Sequence, residues 1–280
     1  MHIPVLPKEV LRGLSPKSNE NFIDGTFHLG GHSELILKEI KPEGKILGIE
    51  IDEDIFKEAK EKFKGNDKVI LVNDSYVNLE KIVEQNDFKN ISGILLDVGM
   101  SSWHIDESKR GFTFQKDEPL NMLFQKEGLT AEEIVNTYSK EELERIFKDY
   151  GEEKKYRKIA EAILKTRKEK PIKTTFELIS VLAQSRQSLP RIFQALRIEA
   201  NGELDNLRKT LPQALKILKS GGRLAVISFH SGEDRIVKQF IKENKESLEI
   251  LNKKPIVPEL GEIRQNSRAR SAKLRIIIKK

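Results

Sequence analysis

No cysteine occurs among the 280 residues, which excludes disulfides, thiolate zinc sites and any reaction that runs through a cysteine nucleophile. No apolar run approaches the roughly 20 residues of a membrane helix. Met1 to Leu14 lacks the basic start and apolar stretch of a leader, so a cytoplasmic protein with no membrane association is expected. Internal repeats and low-complexity segments are missing too, and 38% apolar with 34% charged residues is an ordinary globular balance. Excess charge is slight, 50 Lys and Arg against 44 acids, but it is local. Asn252 to Lys280 carries nine Lys or Arg against two Glu, which reads equally as a solvated segment or as a polyanion-binding edge. Its candidate phosphate ligands are Arg264, Arg268, Arg270 and Arg275, with the basic stretch Lys154 to Lys170 as a second surface.

What is present alternates. Phe22–Asp24, Lys45–Ile51, Val69–Val72 and Ile94–Asp97 read as strands, and Ser33–Ile40, Asp54–Phe63 and Tyr76–Glu84 between them as helices. This βαβαβαβ series predicts an α/β fold with a mostly parallel sheet. The next strands are Arg223–Ser228 and Lys273–Ile278, with a helix over Glu233–Asn244. So long a structureless gap before Arg223 is implausible, and capping boxes at Thr130/Glu133, Ser139/Glu142 and Thr174/Glu177 mark helices inside it. An all-helical subdomain is therefore expected over 106–205, inserted into a domain made of 1–105 and 206–280. It ends in a long helix from Pro190, interrupted near Gly202 and Pro212.

The stretch IDGTFHLGGHS (residues 23–33) joins the first strand to the first helix, where open α/β sheets bind ligands. Gly30 and Gly31 permit close backbone approach, and the helix amides behind them favour an anion. The spacing is not G-x-G-x-x-G, which weakens a nicotinamide-dependent dehydrogenase reading. Glu50 ends the second strand, where an acid accepts the ribose hydroxyls of an adenosine, with Asp52 a neighbouring competitor. Tyr76, just past the third strand, is placed to stack on an adenine or to pack in the core. Asp97 ends the fourth strand, and a carboxylate there is costly without a task. His28 and His32 are spaced i, i+4, but on a glycine loop they share no helix face, so no metal site is expected. His230 follows the fifth strand at the same edge, as a contact to a substrate base or as a packed histidine. With Ser228, Ser231 and Asp234 it forms no hydrolase triad, for no G-x-S-x-G elbow exists.

Taken together, HIPVL at His2, DGTFHLGGHS at Asp24, GILLDVGMSSWHID at Gly93, RGFTF at Arg110, FQALRI at Phe193, SFHSGEDRIVK at Ser228 and SRARSAKLR at Ser267 make the chain resemble the MraW/RsmH family almost end to end. These are bacterial S-adenosylmethionine-dependent methyltransferases that act on N4 of a cytidine in small-subunit ribosomal RNA. The resemblance implies a class I methyltransferase (Rossmann-like) sheet with a helical, RNA-recognising insertion, S-adenosyl-L-methionine as cofactor, and ribosomal RNA or the small ribosomal subunit as partner; no oligomeric state follows from it. It sets the cofactor against Gly30, Gly31, His32, Glu50, Tyr76, Asp97 and His104. Glu50 stands where the family usually has Asp, Tyr76 where Phe is common, His104 where Gln is common, and His28 where Gly is frequent. Asn121 and Leu123 lack the acid and base of the family's D-G-P-L-D-M-R-M.

The missing cysteine bears on the reaction as well. Methylating cytosine at C5 generally requires a cysteine adduct, whereas an exocyclic amine requires alignment and a proton acceptor. The amine's lone pair is delocalised into the ring, and a carboxylate accepting its N–H bonds localises it. Asp97 is the candidate acceptor, with Ser101 and His230 as further catalytic candidates. Ser101 and Ser102 read equally as base contacts or as ordinary turn hydroxyls, and Trp103 as a base-stacking ring or a core residue. A non-catalytic RNA-binding protein on the same fold stays open at this point.

Overall fold

Ile46–Glu50 and Ile91–Asp97 are buried at every residue, as expected of strands covered on both faces of a parallel sheet. Their glycines make room: a Cβ on Gly48 would lie 2.2 Å from the Phe27 ring, and one on Gly93 2.4 Å from Phe22. The computed structural model describes residues 4–280, without the side chain of Gln184, so His2 and Ile3 of the HIPVL motif lie outside the described residues. The chain forms two compact units, Met1–Gly99 with Leu204–Lys280, and Met100–Glu203.

The first unit holds a seven-stranded sheet of β1 (Asn21–Asp24), β2 (Ile46–Glu50), β3 (Val69–Asn73), β4 (Ile91–Asp97), β5 (Leu218–Ser228), β6 (Leu248–Ile250) and β7 (Lys273–Lys279), in the order β3-β2-β1-β4-β5-β7-β6. β1 to β5 run parallel, and β7 pairs antiparallel with both β5 and β6. The expected mostly parallel α/β sheet is thus present. Helices Gly31–Glu39, Glu53–Lys62 and Leu79–Gln85 link the first four strands. The third opens as a 3-10 turn, Tyr76–Asn78, because Ser75 Oγ accepts the Val77 amide. The order reverses between β1 and β4, and crevices for ligands form at such a switch point, beyond the strands' carboxyl ends.

The second unit is helical around its own core, which includes Leu143, Ile146, Phe147, Ile159, Ile163, Leu178 and Leu196. All three expected capping boxes form, at Thr130/Glu133, Ser139/Glu142 and Thr174/Glu177. The helix Leu189–Asn201 stops at Gly202, whose φ of 61° only glycine adopts cheaply. The expected interruption at Pro212 does not occur: Glu203–Ile217 runs through it. Pro212 is exposed, while Leu204, Leu207, Leu211 and Ala214 bury one continuous face that holds the helix together. Among the described residues no helix is long and apolar enough to cross a membrane.

Candidate active site

β1 delivers Asp24 to the switch point, almost wholly buried, with Oδ2 accepting the Ser33 hydroxyl at 2.7 Å and Oδ1 the Thr26 amide at 3.2 Å. Burial raises its pKa above the usual carboxylate value, against the pull of Ser33, His32 and His28. The chain then turns through Gly25 to Gly30, laced by Gly25 N–H to Leu95 O, Phe27 N–H to Ile49 O and Gly30 N–H to Phe27 O. Gly30 has φ 73°, and a Cβ there would meet the Phe63 and Phe27 rings at 2.6 to 2.8 Å. Its conformation and its packing both demand glycine. Gly31 starts the helix with open space by comparison, the nearest atom to its Cβ position lying 3.5 Å away on Pro4. Helix-start amides lack intrahelical partners, so this turn faces the crevice with donors.

Glu50 is 3% exposed. Its Oε2 accepts the His28 amide at 2.8 Å and its Oε1 the Asp52 amide at 2.8 Å, so one carboxylate organises both the glycine loop and the start of the next helix. The competitor Asp52 is fully buried and caps that helix through the Asp54 amide. Burial pushes the His28 pKa down, but the Glu50 carboxylate, helped by Asp97 and Asp24, outweighs it and holds the ring above its ordinary value. Tyr76 is half-buried on its 3-10 turn. Asp97 ends β4, with its amide donating to Thr26 Oγ1 at 2.7 Å and its Oδ2 3.7 Å from His32 Nε2.

Past β5, His230 caps the helix Ser231–Glu243. Among the described residues six buried side-chain polar atoms make no hydrogen bond: His28 Nδ1, His32 Nε2, Asp97 Oδ1, His230 Nε2, Glu233 Oε1 and Ser92 Oγ. The first five belong to segments at the carboxyl ends of β1, β4 and β5. Ser92 alone sits at the amino end of β4. Orphaned buried polar atoms are costly, and their concentration at one sheet edge marks a place built to receive polar groups.

Ser101 and His104 belong to the second unit. The Ser101 amide donates to His104 Nδ1 at 3.1 Å, and its hydroxyl lies 3.0 Å from the same nitrogen. The His104 ring packs against Phe112, Phe124 and Trp103, at 5.0, 4.8 and 5.8 Å between centroids. Asn121 keeps a turn, its Oδ1 accepting the Leu123 amide, while Leu123 is buried as an apolar residue. The basic segment needs one correction. Arg264, Arg268 and Arg270 are exposed, but Arg275 lies in β7 and forms a buried two-bond pair with Asp234 at 2.6 and 3.3 Å, so it is no phosphate ligand. Sequence reasoning passed over Glu233, the fourth residue of HSGE, whose capping-box spacing after His230 was the available signal.

A family model described as the MraW methylase family matches residues 1–280. The chain is 42% identical over 301 residues to ribosomal RNA small subunit methyltransferase H of Clostridium botulinum, covering 98% of this chain and 97% of that one. Against the proteins of that name from Halothermothrix orenii and Dictyoglomus thermophilum the identity is again 42%, over 302 and 286 residues, with 98% and 99% of this chain and 97% and 96% of the relatives covered. Two solved structures share the fold: a Clostridium thermocellum protein described as an rRNA methylase, 11% identical with TM-score 0.52 over all of both chains, and a Streptococcus mutans protein described as a methyltransferase, solved with SAH, 14% identical with TM-score 0.51 over 99% of this chain and 100% of that one. Matched from the first residue to the last by one family model and nearly so by these relatives, the chain belongs to the MraW methylase family.

Proposed function

We propose that the chain transfers a methyl group from S-adenosyl-L-methionine to the exocyclic N4 amine of a cytidine in small-subunit ribosomal RNA, in the cytoplasm. The five orphaned polar atoms at the carboxyl edge of β1, β4 and β5 carry the reading, because a nucleoside cofactor and a nucleobase bring donors and acceptors to that edge. Family membership and the relatives' names support a ribosomal RNA substrate. The residues of the first unit fit such a cofactor: Gly30, Gly31 and His32 offer a helix start to its carboxylate, Glu50 retains lone pairs for ribose hydroxyls, and Tyr76 supplies a ring. When bound, S-adenosyl-L-methionine supplies a methyl carbon made electrophilic by its sulfonium.

Asp97 carries the chemistry in this reading. Its unpaired Oδ1 accepts an amine N–H, which localises the nitrogen lone pair on the attacking atom. Once the nitrogen is methylated, Asp97 would take the surplus amine proton, and His230 would hold the base. The helical insertion over 106–205 and the exposed Arg264, Arg268 and Arg270 supply RNA contacts. A cytosine C5 product is disfavoured because no cysteine exists to form the adduct. The test is methyl transfer from labelled S-adenosyl-L-methionine to small-subunit RNA and to subunits lacking the modification, with the nucleoside identified. N4-methylcytidine is expected; a methylated adenine or C5-methylcytosine, or no transfer to either substrate, overturns the reading.

A further inference from the structure

The first turn of the helix Ser231–Glu243 presents a donor beside an acceptor. The Gly232 amide donates to His230 Nδ1 at 3.2 Å, so the proton of the neutral ring sits on Nε2. Glu233 Oε2 is engaged by the amides of Phe229 and His230, at 2.7 and 3.2 Å, which fixes the carboxylate and leaves Oε1. Nε2 and Oε1 lie 3.1 Å apart, yet the ring N–H is out of line with the oxygen and neither atom makes a hydrogen bond. Both side chains are more than nine-tenths buried. The adjacent Asp234 is locked to Arg275 of β7, so this turn is held from behind.

We infer that His230 Nε2–H and Glu233 Oε1 together read the Watson–Crick edge of the target base, as a specificity-determining pair. Cytosine presents an acceptor, N3, next to an N4–H donor, the complement of this pair. Uracil presents the reverse, an N3–H donor next to the O4 acceptor, and would set donor against donor and acceptor against acceptor. Location agrees. Asp97 is opposite Ile227 in the β4–β5 register, and Gly99 adjoins the Phe229 ring, so the pair follows the strand beside the proposed amine acceptor. Glu233 Oε1 would take the N4 proton nearest N3, leaving the other for Asp97. Both atoms are sealed from solvent, so the base displaces what covers them.

This pairing rests on the function proposed above, and its test is separable from it. Cytidine and uridine 5′-monophosphates are titrated into the whole chain saturated with S-adenosylhomocysteine. The wild-type chain is expected to bind the cytidine nucleotide at least roughly tenfold more tightly, the scale of one good base-edge contact. Glu233→Gln, which keeps an acceptor for the two amides but can turn a donor to the base, brings the ratio near one. His230→Phe does the same and serves if the first variant folds poorly; S-adenosylhomocysteine affinity checks folding in both. A wild-type ratio near one, or a ratio retained in both folded variants, overturns the assignment and leaves the pair a helix cap. The ratio reads base recognition whether or not a methyl is transferred, so a failure of the methylation reading shows separately, in the product nucleoside.

Discussion

The ring of His28 lies with Nδ1 3.3 Å from Glu50 Oε2, the same oxygen that accepts the amide of His28. Main chain and side chain of one residue thus converge on one carboxylate oxygen, and His28 holds φ 48° to do so. Because the pKa of His28 is raised above 6.5 in the folded chain, the folded state holds the proton over a window where the unfolded state has lost it. The contribution is complete below about 6.5 and disappears as pH rises through the raised value. We expect the cofactor-free protein to lose stability to urea as pH rises above about 6.5. His28→Gly, which also relieves the positive φ, should flatten that slope; an unchanged slope in the variant assigns it elsewhere.

Glu50→Ala should weaken S-adenosyl-L-methionine binding by about 1.5–3 kcal/mol, the range for losing a charged hydrogen-bond partner, as read by calorimetry. It should also lower the stability of the free protein, because the His28 and Asp52 amides lose their acceptor. Unchanged affinity would remove the ribose role from β2 altogether, for Asp52 is buried as a helix cap.

Asp97→Ala should slow single-turnover methyl transfer at least about a hundredfold at saturating cofactor, the scale of a lost catalytic acceptor. Near-normal turnover would move that role to Glu233 or Ser101.

Two neighbouring glycines should separate packing from ligand contact. Gly30→Ala should cost roughly 2 kcal/mol or more in urea unfolding, from φ 73° and two aromatic collisions. Gly31→Ala, with 3.5 Å of room, should leave stability within about 0.5 kcal/mol, so any loss of cofactor affinity there reports on the crevice itself.

Arg268→Ala with Arg270→Ala should weaken RNA binding and reduce the slope of log affinity against log salt by roughly 1 to 2, about one unit per phosphate contact. Arg275→Ala should instead destabilise the fold by about 3–5 kcal/mol, by stranding Asp234 in a buried site. Equal stability of the two variants would contradict the buried pair.

The sheet was legible because β2 and β4 are rich in Ile and Leu and end in an acid, and β1 feeds a glycine turn. β6 was not, for three residues of Leu248–Ile250 carry no period. Thr130, Ser139 and Thr174 announced their helices through local chemistry, whereas Pro212 misled because a long-range apolar face overrode a local breaker. At the site, Glu50 and Asp97 stood out as acids at strand ends. That Gly30 answers to Phe63, and that Arg275 turns inward to Asp234, depends on contacts between residues far apart in the chain, which one sequence does not display.

β4 and β5 lie side by side with Asp97 opposite Ile227, and the whole helical unit, Met100–Glu203, is threaded between them. Joining those strands from an unstructured chain closes a loop whose entropic cost is about 2 kcal/mol above that of a loop one-tenth as long. The helical segment has a core of its own, whose contacts span shorter stretches of chain than the pairing of β4 with β5, and shorter-range contacts form earlier. Its condensation shortens the tether before the central strands meet. The insertion is therefore expected to condense before the sheet closes, and Phe147→Ala in its core should slow the sheet's recovery in a refolding experiment although no strand has been touched.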